Sequence, residues 1–272
     1  MTPSGKKTVR ARTQAQRLNL LLVGFSILLF NACLPASPPQ PQPTDTLPPP
    51  TETPTPTIVW FPPTPTFTPF PTPELLPTEN MRPGIGELIY ADDFDQADAW
   101  SLSATSTGSV ALGVDELTIA IGAVDTYLFS VRQDWLLTDF YLEITASPSL
   151  CQDMDEYGVL LRVSPAMDLY RFSLSCNGQV RLDRIYRGQA SSPQPWMMSG
   201  AVPPGAPSTA RLGVWAVGSE LRFFVNDFYQ FTVTDPLLTS GGVGVFARST
   251  VDWPVTVNFS ALRIFAVTPA GE

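Results

Sequence analysis

Histidine is absent from the 272-residue chain, and only three cysteines are present. Without imidazole, the chain cannot use Ser-His-Asp or Cys-His catalysis, nor any zinc site that needs a histidine ligand. No two cysteines have the short spacing of a thiolate metal site. Lysine is absent from residues 88–272, where ten arginines stand against twenty acidic residues. This acidic balance excludes a general nucleic-acid binder, because binding to a phosphate backbone requires a basic surface.

Long uninterrupted hydrophobic runs are scarce, and the apolar stretch 18–30 is shorter than the roughly 20 residues of a membrane-spanning helix. Five basic residues precede it, which is the pattern of an export signal. The stretch leads to Ala32-Cys33, and this resembles the bacterial lipoprotein signal, in which the cysteine receives diacylglycerol before cleavage. Phe30 and Asn31 depart from the residues usual in that signal. The resemblance implies that Cys33 is lipidated, and the alternative is an uncleaved signal anchor.

In both cases the basic flank stays in the cytoplasm and the rest of the chain is exported. We therefore predict a protein held at the outer face of the bacterial cytoplasmic membrane or at the cell surface. Its contact with the membrane would be the lipid anchor.

Residues 34–87 hold 18 of the 29 prolines, many of them alternating with threonine. Proline lacks a backbone donor and fixes φ, so neither a helix nor a sheet can extend through this stretch. The composition predicts a disordered, mostly extended stalk that acts as a spacer. The sequence thus divides into a lipoprotein signal segment over 1–33, a Pro/Thr-rich stalk over 34–87 and a folded domain over 88–272.

The folded domain has no long stretch of 3.6-residue periodicity, which is the signal of a helix. It shows short alternating runs rich in Val, Ile, Phe and Tyr, separated by turn residues. A dozen or so strands with tight turns predict an all-β fold, a two-sheet antiparallel sandwich. The predicted strands are 88–91, 110–112, 117–121, 127–132, 140–146, 157–163, 169–175, 179–187, 210–216, 220–225, 229–234, 243–247 and 255–265.

The turn at Asn177-Gly178 allows two strand registers, and a shift of one residue exchanges the faces of the hairpin. A two-residue turn would pair Cys176 with Gln179 and mix apolar with charged side chains on one face. A three-residue loop keeps one face apolar and turns the charged residues outward, so we predict that register. Its pairs are Leu174 with Val180, Phe172 with Leu182, and Arg171 with Asp183, with Ser173 and Arg181 also facing outward.

Five short motifs follow one another along the domain. They are Tyr-Ala-Asp-Asp-Phe at 90–94 followed by Trp100, Tyr-Gly-Val-Leu-Leu-Arg at 157–162, Leu-Tyr-Arg-Phe at 169–172, Leu-Arg-Phe-Phe-Val-Asn-Asp at 221–227 and Gly-Gly-Val-Gly-Val-Phe at 241–246. This series is similar to that of extracellular concanavalin A-like (laminin G-like, glucanase-type) jelly rolls, although Asp227 stands where glycine is usual. The resemblance implies a jelly-roll sandwich. That superfamily also contains 3-keto-disaccharide hydrolases, so the resemblance does not specify one activity.

If Cys33 carries lipid, Cys151 and Cys176 remain as a pair in an exported domain, where disulfides persist. Each cysteine follows a predicted strand, so their side chains can meet at one edge of the sandwich. We predict a disulfide that closes a loop of about 24 residues and stabilises the fold by about 3 kcal/mol. Two buried thiols are the alternative.

Acidic residues do not form the pattern expected of an enzyme of this shape. Glycoside hydrolases place their carboxylates along one strand, as in Glu-x-Asp-x-Glu, and no such spacing occurs. The acidic cluster at 153–156 is predicted to be a solvated loop, and no catalytic residue is assigned. A structural calcium ion would need several oxygen ligands, for which the candidates are Asp92, Asp93, Asp95 and Asp252.

Strand alternation places several arginines and one aspartate on exterior surfaces of the sandwich, and it directs a tryptophan outward near the second hairpin. Such a set suits carbohydrate recognition, in which an aromatic ring stacks on a sugar and guanidinium groups bind its oxygens. The alternative is that Trp215 packs under a loop while the arginines form surface ion pairs worth under about 1 kcal/mol. The candidate ligand-binding residues are Trp215, Arg162, Arg171, Arg181, Asp183 and Arg211.

The sequence therefore predicts a non-catalytic cell-surface lipoprotein whose β-sandwich binds carbohydrate or another extracellular ligand of the envelope. A glycoside hydrolase of the 3-keto-disaccharide type is the first alternative. A structural or adhesion module that binds an envelope protein is the second. Exposed carboxylates within about 5–10 Å of each other would favour the enzyme. A flat face without exposed aromatic residues would favour the structural role.

Overall fold

Residues 79–268 are described by a computed structural model, and nearly all their secondary structure is β-strand. The predicted signal segment, Cys33 and the stalk up to residue 78 lie outside the described residues. Within the described range, the one helical element is a short 3₁₀ helix, Ala97–Ala99. No helix in that range is long and apolar enough to cross a membrane.

Fifteen strands form the described domain. In chain order they are β1 (Ile85–Asp92), β2 (Ser103–Ala104), β3 (Gly108–Leu112), β4 (Leu117–Ile121), β5 (Tyr127–Leu137), β6 (Phe140–Leu150), β7 (Glu156–Val163), β8 (Leu169–Ser175), β9 (Gln179–Tyr186), β10 (Gln189–Met198), β11 (Ala210–Val217), β12 (Glu220–Val225), β13 (Phe228–Thr234), β14 (Gly241–Arg248) and β15 (Val255–Val267).

The strands build two antiparallel sheets. The nine-stranded sheet has the order β13-β12-β11-β6-β15-β4-β3-β2, with β1 also paired to β15. The six-stranded sheet has the order β10-β9-β8-β7-β14-β5. Consecutive strands such as β5 and β6 belong to different sheets, so the chain crosses between the layers. The predicted two-sheet jelly-roll sandwich is confirmed.

The core lies between the two sheets because alternate residues of each strand point inward. In β4, Leu117, Ile119 and Ile121 are buried while the residues between them are partly exposed. Across the layers, the ring of Phe172 on β8 packs on Phe223 of β12, with ring centroids 4.7 Å apart. Both rings are fully buried, so this contact joins the two sheets directly.

The hairpin between β8 and β9 has the predicted register. Phe172 pairs with Leu182, Leu174 pairs with Val180, and Arg171 pairs with Asp183. The four apolar members of these pairs are fully buried in the core.

Most predicted strands are present within one or two residues of their expected ends, but two strands were missed. The shorter is the two-residue strand β2, and the longer is β10. Strand β10 contains Pro193 and Pro195 and lies at the edge of the six-stranded sheet, which is where proline is tolerated because an edge strand needs fewer backbone donors. Strand β1 begins at Ile85 rather than at Leu88.

The disulfide between Cys151 and Cys176 is present, as predicted, with 6.1 Å between the two Cα atoms. Cys151 directly follows β6 of the nine-stranded sheet, and Cys176 directly follows β8 of the six-stranded sheet. The bridge therefore fastens one sheet to the other at one end of the sandwich.

Candidate functional site

Charged residues line the outer face of the six-stranded sheet, on the side away from the core. They alternate along their strands with core residues: Arg171 precedes Phe172, and Asp183 follows Leu182. We call this surface the arginine face, defined by Glu156, Arg171, Arg181, Asp183 and Arg248.

The arginine face is held by a ladder of ion pairs in which each carboxylate serves two guanidinium groups. Asp183 accepts a hydrogen bond from Nη2 of Arg171 at 2.6 Å and forms an ion pair with Nη2 of Arg181 at 2.9 Å. Glu156 accepts from Nη2 of Arg181 at 3.0 Å and from Nη1 of Arg248 at 3.3 Å. The side chains of both acids are only 4–5% exposed. The carboxylates thus fix the positions of all three guanidinium groups.

Burial and the neighbouring charge have opposite effects on the pKa of Arg171. Burial alone would lower the pKa of its guanidinium, but the hydrogen bond and charge of Asp183 raise that pKa above its ordinary value. Tyr127 lies beside it, and burial raises the pKa of the tyrosine hydroxyl to about 12. At neutral pH the arginine is therefore charged and the tyrosine is neutral.

Aromatic rings pack against the same guanidinium groups. The Arg181 guanidinium lies 4.4 Å from the ring centroid of Trp196, and that of Arg171 lies 5.6 Å from Tyr127 and from Phe246. Trp196 and Tyr127 are partly exposed, and so is Phe129, whose ring centroid is 5.7 Å from that of Tyr127. Cation–π contacts of this kind orient both partners. The arginine face therefore presents aromatic rings packed against guanidinium groups.

Small residues form the floor beneath these side chains. Gly158, Gly244, Ser173 and Ser175 lie on the central strands, and all four are buried. A Cβ atom on Gly158 would lie 3.3 Å from Cε1 of Phe246, so this ring lies against the glycine. Leu160 and Phe246, which are fully buried, pack on the same outer face, so the floor combines small residues with an apolar cluster.

Two donors on this face, Nε of Arg171 and Nε of Arg181, have no acceptor within the part of the chain that the structure describes, and both are buried. Both carboxylates of the face already bind guanidinium groups. The guanidinium of the face that is most accessible to a ligand is that of Arg248, whose side chain is 39% exposed.

A cleft of about 450 Å³ opens where the outer face meets strand β5. Phe129 and Val131 of the sheet form one wall, Met167 belongs to the loop between β7 and β8, and Leu136 is 76% exposed at the rim. Since Phe129 also adjoins Tyr127, the cleft continues the arginine face toward this edge of the sheet.

Three of the predicted ligand-binding residues, Arg171, Arg181 and Asp183, lie together as expected from strand alternation. Arg162 does not, and its predicted exterior position is wrong. It lies in a β-bulge with φ of 51°, is fully buried, and donates to the carbonyl oxygens of Leu238 at 2.7 Å and Thr138 at 3.3 Å. The bulge breaks the alternation of the strand and so removes this side chain from the outer face.

Trp215 and Arg211 lie on the nine-stranded sheet, so the structure does not bring them to the arginine face. The side chain of Trp215 is 5% exposed, and its Nε1 donates to the carbonyl oxygen of Pro83 at 2.9 Å. Arg222 stacks on its ring at 4.6 Å. Trp215 is thus covered by chain, while Arg211 is exposed and pairs with Asp227.

We call Met81–Pro83, which covers Trp215, the strap. Its Arg82 guanidinium lies over the rings of Tyr141 and Phe224 at 5.6 and 4.9 Å and donates to the Tyr141 hydroxyl at 2.7 Å. Arg222 donates to the carbonyl oxygen of Met81 at 3.1 Å. These contacts hold the strap on the outer face of the nine-stranded sheet.

Sequence reasoning missed four residues of the site, for different reasons. Trp196 lies on the unpredicted strand β10. Glu156 was placed in a solvated loop, but it is the first residue of β7 and is 3% exposed. Tyr127 and Arg248 lie at strand ends and pair with each other across β5 and β14. The alternation that identified Arg171 could have found Tyr127, whereas only the sheet order brings Arg248 beside Glu156.

The calcium candidates are used in other ways. The Asp92 carboxylate accepts from the backbone nitrogen of Phe94 at 2.7 Å and from Nε1 of Trp100 at 3.0 Å, and it pairs with Arg132. Asp93 pairs with Arg263 at 2.8 Å. Among residues 79–268, no three His, Cys, Asp or Glu side chains gather where they could hold a metal ion.

No protein-family model and no curated protein matches the sequence. Similar solved structures include the carbohydrate-binding module CBM66 from Bacillus subtilis, at 16% identity over 62% of this chain and 96% of that chain, with a TM-score of 0.48. The catalytic domain of an endo-1,3-beta-glucanase from Thermotoga petrophila is similar at 9% identity over 67% and 98% of the two chains, with a TM-score of 0.48. A protein with a galectin-like fold from Bacillus subtilis is similar at 12% identity over 68% and 98%, with a TM-score of 0.49. Likeness at these identities concerns fold, so the function must be argued from the residues of this chain.

Proposed function

We propose that this protein binds carbohydrate, without catalysis, through the arginine face of its six-stranded sheet. The observation that carries the proposal is the pairing of partly exposed rings with fixed guanidinium groups, as at Trp196 and Arg181. A sugar offers a flat apolar side to a ring, and its oxygens accept from N–H donors.

Preorganisation supports the proposal. Arg171 and Arg181 are already held by Asp183, so little side-chain freedom would be lost when a ligand binds. Mobile arginine side chains would instead lose conformational entropy when the ligand binds. The two buried carboxylates therefore act as positioning residues for the guanidinium groups.

The dimensions of the face favour an oligosaccharide over a single sugar. Trp196 lies on β10 and Tyr127 on β5, which are the two edges of the six-stranded sheet. At about 4.8 Å between neighbouring strands, the edges are about 24 Å apart. The cleft beside Phe129 extends the surface at the β5 edge.

A glycoside hydrolase is the second candidate, and one observation favours it. Oδ2 of Asp183 and Oε2 of Glu156 lie 2.9 and 3.0 Å from the same nitrogen of Arg181, so these two carboxylate oxygens are no more than about 6 Å apart. The carboxyl groups of retaining glycosidases are separated by a similar distance, about 5–5.5 Å. Both carboxylates, however, are buried and bound to guanidinium groups. Neither presents an oxygen to a glycosidic bond, and binding without hydrolysis is the better fit.

The structural or adhesion alternative is less well supported by this surface. A flat face without exposed aromatic residues would have favoured it, and the arginine face has partly exposed rings at Tyr127, Phe129 and Trp196.

We further propose that a lipid on Cys33 and the Pro/Thr-rich stalk present the domain outside the cell. Labelled fatty acid should be incorporated into the wild-type protein and not into a Cys33→Ser variant, because a single cysteine carries the lipid. Absence of label from the wild-type protein would support the uncleaved signal anchor instead.

The binding proposal is tested by a glycan screen on the full-length protein in a detergent without a sugar headgroup. Trp196→Ala should lower the affinity of any bound glycan about tenfold or more, equivalent to about 1.4 kcal/mol. Phe228→Ala is the matched control, since Phe228 is 68% exposed at the edge of the other sheet. Equal binding by wild type and Trp196→Ala would contradict the site, and no glycan binding by wild type would contradict the function. Release of reducing sugar that stops in Glu156→Gln would support the enzyme.

A further inference from the structure

We infer that the ligand of the arginine face is an acidic glycan and that Arg248 binds its carboxylate groups. This inference rests on the proposed carbohydrate binding and specifies the class of sugar. It follows from three observations: the net positive charge of the face, the unused hydrogen-bond donors of Arg248, and the small number of hydrogen-bond acceptors on the face.

The arginine face carries an excess positive charge. Three guanidinium groups share two carboxylates, and the neighbouring Tyr127 hydroxyl is neutral at pH 7 and adds no charge. Residues 88–272 as a whole contain ten more acidic than basic residues. A positive surface in so acidic a domain would attract an anion locally while the remainder repels polyanions such as nucleic acids.

The excess charge is most accessible at Arg248. Its side chain is 39% exposed, against 16% for Arg171 and 17% for Arg181. Its ion pair to Glu156 uses Nη1 and is the longest of the ladder, at 3.3 Å. Within residues 79–268, Nε and Nη2 of Arg248 make no hydrogen bond. A guanidinium with two donors free can bind a carboxylate through two parallel bonds.

Arg248 also has an aromatic neighbour for the sugar ring. It pairs across β14 and β5 with Tyr127, whose ring adjoins Phe129. A uronic acid could therefore stack its ring on the aromatic side while its carboxylate meets the guanidinium. Arg248 would be a binding residue, and Glu156 would position it.

The shortage of acceptors separates acidic from neutral sugars. A hydroxyl of a neutral sugar donates as well as accepts, and its hydrogen needs an acceptor. On this face both carboxylates are already bound to guanidinium groups, while Nε and Nη2 of the partly exposed Arg248 are donors without an acceptor in residues 79–268. Carboxylate oxygens only accept, so they match a surface on which donors are in excess.

The test compares two forms of one polymer on the full-length protein. Polygalacturonate carries a carboxylate on each sugar, and its methyl ester has the same backbone without the charge. We expect polygalacturonate, or alginate as a second uronate polymer, to bind at least about tenfold more tightly than the ester. We also expect the difference to shrink in 0.5 M salt, because screening weakens exposed charge pairs.

Arg248→Gln should abolish the preference for the acid, whereas Arg263→Gln should leave it unchanged. Arg263 is a matched control because it is 31% exposed and paired with an aspartate on the other sheet. Equal affinity for acid and ester, or persistence of the preference in Arg248→Gln, would overturn the inference and leave carbohydrate binding intact. Binding of a sulfated glycan but of no uronate would overturn the carboxylate assignment. Binding of no glycan at all would overturn the proposed function as well.

Discussion

At the scale of single residues, burial controls how the tyrosines ionise. It raises the pKa of the Tyr127, Tyr141 and Tyr170 hydroxyls to about 12 and raises that of Tyr157 further. The unfolded chain therefore loses these protons near pH 10, before the folded chain does. Unfolded protein then binds fewer protons, so the free energy of unfolding should fall as the pH rises from 10 through 12.

Tyr157 allows this to be tested. Its hydroxyl is buried and has no hydrogen-bond partner among the described residues, so Tyr157→Phe removes a desolvated polar group and keeps the ring. At pH 7 we expect the free energy of unfolding of the variant to equal that of the wild type or to exceed it by up to about 1–3 kcal/mol. Between pH 9 and 11, the free energy of unfolding should fall less in the variant than in the wild type. Urea unfolding at these pH values measures both.

Tyr170→Phe is the control for this prediction, because the Tyr170 hydroxyl donates to the carbonyl oxygen of Asp235 at 3.3 Å. Its loss should lower stability at pH 7 by about 0.5–1.5 kcal/mol. A Tyr157→Phe variant less stable than Tyr170→Phe at pH 7 would contradict the account of both hydroxyls.

Single residues also show where reasoning from sequence succeeds. Arg171, Arg181 and Asp183 were placed on one face because alternation holds along β8 and β9. Arg162 was misplaced because one bulged residue inverts the alternation, and a bulge has no reliable mark in the sequence.

At the scale of elements, strand propensity predicted most of the sandwich but not the strand that carries Trp196. Two prolines argue against a strand when the sequence is considered alone, and only its edge position makes β10 acceptable. The prediction therefore relied on Trp215, the tryptophan of a clearly patterned strand. The strap covers this ring, as in the alternative in which Trp215 packs under a loop.

The disulfide is the element-scale feature with the clearest energetic consequence. It links two cysteines that are 25 residues apart in the sequence and joins the ends of β6 and β8. Replacing both Cys151 and Cys176 by alanine should lower the free energy of unfolding by about 3 kcal/mol, because the unfolded chain regains the entropy that the bridge removes. Guanidinium chloride unfolding of the oxidised protein and the variant measures the difference.

Wild-type protein unfolded in the presence of a reducing agent is the control and should match the double alanine variant. Equal stability of the oxidised wild type and the variant would contradict this role of the bridge.

At the scale of the whole molecule, the strap and the arginine face lie on opposite outer faces of the sandwich. The strap packs on the nine-stranded sheet, so the chain enters the domain on the side away from the proposed ligand surface. Residues 81–83 therefore do not cover the six-stranded face.

Arg82→Ala tests how strongly Arg82 fixes the strap to the nine-stranded sheet. Its guanidinium contacts two rings, the Tyr141 hydroxyl and Asp227, so its removal should loosen residues 79–84 with a loss of about 1 kcal/mol or less in global stability. Limited proteolysis should then cleave the variant before Ile85 several times faster than wild type, while glycan binding is unchanged. Unchanged cleavage would show that the strap does not depend on Arg82.

The central claim, that the six-stranded face binds glycan, is tested most directly by hydrogen–deuterium exchange of the full-length protein with and without the oligosaccharide that binds most tightly in the glycan screen. We predict slower exchange in peptides from Tyr127–Leu137, Gln179–Tyr186 and Gln189–Met198, and no change in Ala210–Val217 or Glu220–Val225. Protection confined to the nine-stranded sheet, or no protection anywhere at saturating oligosaccharide, would contradict the claim.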